Sequence, residues 1–127
     1  MKILLCIGLG GFFGAIARYG LSAAVHGLAD SRIGSFPIGT LVVNLLGCLL
    51  LGFCAHLIAG RFAIDHELGI GLTVGFLGSF TTFSAFAHET FLLARNGLPI
   101  LMWLNILASN TLGLFAVWAG YRLGGLV

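Results

Sequence analysis

Charge is what this chain has least of: six Lys or Arg and four Asp or Glu among 127 residues, against 59% hydrophobic residues and a mean hydropathy of +1.11. So few polar side chains cannot cover a water-facing surface, which excludes a soluble globular domain. A net charge of +2 also leaves no basic patch able to hold a nucleic acid, so partners must be lipid, protein or a small solute. Cysteine is sparse too. Cys6, Cys48 and Cys54 all lie inside apolar runs, where a thiol behaves as a small hydrophobe, and neither a disulfide nor a zinc site is expected. Two prolines stand against twenty glycines, and in an apolar chain glycine signals close helix packing and not disorder.

What is present is four apolar stretches, Ile3 to Val25, Gly39 to Gly60, Gly69 to Leu93 and Leu98 to Tyr121. Each exceeds the roughly 20 residues a helix needs to cross a bilayer. The connections are short and hold most of the remaining polarity: Asp30, Ser31, Arg32 and Pro37; Arg61, Asp65, His66 and Glu67; Arg95, Asn96, Gly97 and Pro99. The pattern predicts an all-α integral membrane protein, a single four-span domain over residues 1–127. Met1 and Lys2 ahead of an apolar run imitate a signal peptide. The charged start is too thin and Arg18 sits badly for one, so this segment is read as the first span.

Orientation follows from loop Lys and Arg. One side holds Lys2, Arg61 and Arg122; the other holds Arg32 and Arg95, with Arg18 added if it snorkels outward. The bias is close to zero, so a chain inserting both ways could pair antiparallel with itself, although one loop arginine or a cellular factor could equally fix a single topology. Four helices also enclose little volume, which favours a solute path between two subunits.

Several motifs carry potential chemistry. Gly10, Gly14 and Arg18 share one face of the first span, a small-residue pattern for close contact with a charge that is snorkelled or paired. In the second span Thr40 and Asn44 are one turn apart; the Asn44 amide is either interhelical glue or a donor on a polar path. Of the residues Gly71 to Thr82, seven are Gly, Ser or Thr, a poor continuous helix. That stretch either breaks, which is tolerated only where freed backbone is buried or lines a cavity, or is a packing face on an unbroken helix. Phe83 and Phe86 fall on one face, and ring edges are positive enough to stabilise a small dehydrated anion, although such a pair is commonly just packing. Glu89 lies about a turn inside the end of this span and either lines the path or reaches the interface. Asn105, Ser109 and Gly113 form a stripe on the fourth span, a donor track or a packing face. Ser84 and His88 lack a third orienting acid and an oxyanion hole, so no enzyme is assembled.

Gly10 to Arg18, Gly39-Thr40…Asn44…Gly47, and above all Gly75-Phe76-Leu77-Gly78-Ser79-Phe80-Thr81-Thr82-Phe83-Ser84-Ala85-Phe86 closely resemble the Fluc (CrcB) family of fluoride channels over nearly the full chain. The resemblance implies passive export of cytoplasmic fluoride across the bacterial plasma (inner) membrane by an antiparallel, dual-topology homodimer with a broken third helix. It further implies a structural Na+ on the two-fold axis, held by the backbone carbonyls of Gly78 and Thr81. Phe83 and Phe86 would line the fluoride pathway, Asn44 would donate to fluoride, Glu89, Asn105 and Ser109 would lie along the polar route, and Arg18 would match a structural arginine. Ala85 and the pair Ser79-Phe80 depart from the commoner pattern, which places part of the polar track in question.

Two rivals come from different classes, and the first resembles this chain in size. A dual-topology small multidrug exporter needs a membrane-embedded acid in its first helix, whereas the acids here are Asp30, Asp65, Glu67 and Glu89. A non-conducting assembly subunit would use every glycine and polar face for packing.

Overall fold

Apolar runs with almost no proline propagate as helix, because in lipid every main-chain polar group must be satisfied within its own segment. The computed structural model describes residues 1–29, 35–59 and 65–127. Three spans are unbroken: α1 (Lys2–Ala29), α2 (Ile38–Ala59) and, at the end of the chain, α6 (Pro99–Gly124). The third span is composite, running through α3 (His66–Ile70), a π-helical segment (Gly71–Leu77), α4 (Gly78–Phe80) and α5 (Phe83–Arg95). Four segments are long and apolar enough to cross a membrane, Lys2–Gly27, Ile38–Ala59, His66–Arg95 and Pro99–Gly124, each within a few residues of its sequence-derived bounds. No strand occurs among the described residues. Asp30, Ser31, Arg32 and Arg61, on which the loop-charge balance partly rests, lie outside the described residues.

Local chemistry sets the turn between the last two spans. Asn96 and Gly97 follow α5, and Gly97 takes φ 73°, a left-handed conformation that costs glycine nothing. Leu98 then donates back to the Leu93 carbonyl at 2.9 Å, and Pro99 starts α6 where a missing N–H costs no hydrogen bond.

Two close crossings hold the spans together. A Cβ on Gly10 would collide with the Gly71 carbonyl, and one on Gly14 with the Phe76 carbonyl, so α1 lies directly on the π-helical segment. Likewise Gly52 of α2 abuts the Val117 carbonyl, and Gly120 of α6 abuts that of Leu49. Lipid tails supply no hydrophobic drive between helices, so dispersion gained at such short range is the main attraction. Val43, Leu77 and Phe80 are buried between the spans, whereas Leu4, Phe12, Leu114 and Phe115 are exposed on the outside of the chain.

The third span departs from the simplest expectation in an instructive way. Its glycines do not break it: Gly71 and Gly75 are used for contact with α1, and Gly78 remains helical at φ −64°, ψ −31°. The break is confined to Thr81 and Thr82, whose ψ angles of 156° and 112° are extended.

Candidate functional site

Asn44 creates this break as much as the threonines do. Its Oδ1 accepts from the Thr82 N–H at 2.8 Å, and its Nδ2 donates to the Thr82 carbonyl at 3.2 Å, so a single α2 amide takes both main-chain groups of one residue. Thr82 in turn caps α5, its Oγ1 accepting from the Ala85 N–H at 3.2 Å and lying 3.3 Å from the Ser84 Oγ. These bonds divert two amide protons. In an unbroken helix Thr82 N–H would cover the Gly78 carbonyl, and Ala85 N–H would cover that of Thr81. Both donors are committed elsewhere, which leaves the Gly78 and Thr81 oxygens free of their usual helical partners.

Around the break lies a pocket of about 320 Å³, and Asn44, Thr81, Thr82, Phe83, Phe86 and Ser109 are among its walls. Gly78 and Asn110 line it too. The Phe83 and Phe86 ring centroids are 5.7 Å apart with planes tilted by 45°, and Phe83 is 80% exposed, at the rim. Asn44 has a second amide proton beyond the one given to Thr82, so its role as glue leaves a donor over.

A second pocket, of about 270 Å³, shares Thr82 with the first and adds Arg18, Tyr19, Ser22, Thr40 and Glu89. A third, of about 210 Å³, shares Glu89 with the second and adds His26, Ser35 and Asn96. The three therefore form a row, with Thr82 and Glu89 as the common walls. Glu89 accepts from the Thr40 hydroxyl through Oε1 at 2.7 Å, while Oε2 is buried without a partner among the described residues.

Asn105 sits apart from these walls. It is 2% exposed and donates to the Thr90 hydroxyl at 2.8 Å. The fourth-span stripe is thus divided: Asn105 links two helices, Ser109 faces the central pocket, and Gly113 packs toward the Cys48 thiol. Thr90 and Asn110 were not singled out from the sequence, and Thr82 was named only as part of the Gly/Ser/Thr-rich stretch. Thr82 was legible in principle as a cap preceding an apolar run, but Thr90 and Asn110 acquire meaning only from their neighbours in space.

A multi-pass membrane protein, with a row of pockets carrying polar side chains along a broken third helix, is the class that fold and site define. The chain belongs to the CrcB family: a family model described as CrcB-like protein, Camphor Resistance (CrcB), matches residues 5–121. It is 43% identical over 120 residues to the fluoride-specific ion channel FluC of Geobacter sulfurreducens, covering 94% of both chains. It is 46% identical over 121 residues to FluC of Solibacter usitatus, covering 94% of this chain and 95% of that one. FluC of Nitratidesulfovibrio vulgaris is 39% identical over the full length of both.

Proposed function

We propose that this protein is a fluoride-selective channel that lets cytoplasmic fluoride leave passively across the plasma membrane. The observation that carries this is the central pocket, where two phenylalanine rings and the donors of Asn44, Thr82 and Ser109 meet beside the helix break. A small anion sheds its water only where N–H, O–H and positive ring edges replace it, and a site walled by no Lys or Arg side chain binds it weakly enough to release it. The row through Thr82 to Glu89, past Thr40 and Arg18, supplies polar walls toward the α5–α6 turn. The relatives' names favour neither the drug exporter nor the passive subunit.

The channel is an antiparallel, dual-topology homodimer in this proposal. An 80% exposed Phe83 at the pocket rim is half of a site that a second copy would close, and near-balanced loop charge favours both insertions. The Gly78 and Thr81 carbonyls fit a structural Na+, since uncovered dipoles in a dry interior are stabilised by a monovalent cation. When bound, the ion would neutralise those dipoles and join the two copies.

Proteoliposomes loaded with fluoride test the function: fluoride efflux with chloride retained is the expected result, and equal loss of both would overturn it. For topology, a cysteine placed at Arg95 in a cysteine-free background should label from both sides of the membrane. Labelling from one side alone would remove the dual insertion.

A further inference from the structure

α5 presents the Phe83 and Phe86 rings, yet Leu93 is its one buried residue among those described. Within one chain, apolar packing therefore does little to fix how this helix is rotated about its axis. Polar links must do so, and three do: Asn44 grips Thr82 at the helix start, Thr40 reaches Glu89, and Asn105 reaches Thr90. The third link differs in where it ends. An amide N–H can only donate, so the Thr90 oxygen accepts from Asn105 and its single O–H goes to the Phe86 carbonyl, at 2.6 Å. A threonine bonding four residues back is ordinary in a helix by itself. Here a 2% exposed amide from another span terminates on that hydroxyl, which turns a local bond into a tether between α6 and the main chain of Phe86.

We propose that Thr90, backed by Asn105, is a positioning residue that sets the placement of the Phe86 ring; this rests on Phe86 belonging to the fluoride pathway. The two rings are then tethered by amides from two different spans, Phe83 through Thr82 by Asn44 of α2, and Phe86 through Thr90 by Asn105 of α6. Thr90 and Asn105 are not walls of the central pocket, so they act through the ring and not on the ion. The leverage is geometric. A side chain lies about 5–6 Å from a helix axis, so a rotation of about 10° moves the ring by about 1 Å, enough to spoil a site requiring near-contact donors.

Thr90→Val keeps the shape of the side chain and removes the tether, whereas Thr90→Ser restores the hydroxyl. Fluoride flux per folded channel should fall about tenfold or more in Thr90→Val and in Asn105→Leu, and return toward wild type in Thr90→Ser. The double variant should lose little more than Thr90→Val alone, because both changes cut one chain of bonds. Folded Thr90→Val and Asn105→Leu with wild-type flux would overturn the proposal, as would failure of both to fold, which would make the pair a packing element. Fluoride selectivity of the unmodified protein is measured in the same vesicles. Loss of selectivity there would sink the channel assignment itself, while selective wild-type protein with unaffected variants sinks only the tether.

Discussion

Asn44 and Thr82 are joined twice, N–H to side-chain oxygen at 2.8 Å and side-chain nitrogen to carbonyl at 3.2 Å, so one α2 side chain substitutes for two bonds that an unbroken third span would have made within itself. This pairing allows irregular backbone at membrane depth without an orphaned amide. The same residue lines the central pocket, so the fluoride role proposed for it is coupled to its structural one.

Asn44→Leu should therefore be costly in two ways. Losing two hydrogen bonds of about 1 kcal/mol each, with the Thr82 groups left unpaired, should lower stability by about 2 kcal/mol or more. Thermal unfolding in detergent measures this, and fluoride flux should fall with it. Asn44→Asp keeps the acceptor for Thr82 N–H but sets an oxygen against the Thr82 carbonyl, so it should rescue only partially. Wild-type stability in Asn44→Leu would show that the break holds itself open.

Phe83→Ile and Phe86→Ile retain apolar bulk while removing the positive ring edge. Flux should drop far more than folding, read as fluoride efflux against the yield of correctly sized protein by gel filtration. Unchanged flux in both variants would return the 5.7 Å ring pair to a packing role.

Gly14→Val tests the first helix crossing. Its added carbons would meet the Phe76 carbonyl, and overpacking of this kind costs about 1–3 kcal/mol. Gly8 and Gly20 have open space around a built Cβ, so alanine at either should be neutral in the same unfolding measurement. Equal effects at all three positions would mean that helix propensity, and not contact, is being measured.

Sodium enters the last prediction through main-chain atoms. Because the ligand proposed at Thr81 is its carbonyl, Thr81→Ser should leave flux nearly unchanged, although its hydroxyl donates to Leu77 O at 3.1 Å in the native chain. Exchanging sodium for a large organic cation during purification should weaken the proposed dimer or abolish flux. Full activity in rigorously sodium-free buffer would overturn the ion's structural role.

Helix number, span bounds and the all-α class were legible in the sequence because hydrophobic length alone dictates them when the solvent is a bilayer. The contact role of Gly10 and Gly14 was legible as well, since four-residue spacing places both on one helix face whatever they meet. The phenylalanine pair, Asn44 and the Gly/Ser/Thr-rich stretch could be named as candidates, but spacing could not separate packing from pathway. The tertiary structure decided where the third span breaks. Glycine content pointed at the whole stretch from Gly71 to Thr82, yet the glycines remain helical, Gly71 and Gly75 against α1, and the break falls at Thr81 and Thr82, where Asn44 can satisfy the freed groups. It also decided the fate of the fourth-span stripe, sending Asn105 to Thr90 and Ser109 to the pocket. The reason is common to both: a hydrogen bond between spans joins residues 15 or 38 positions apart, and periodicity along one helix carries no information about which neighbour it will face.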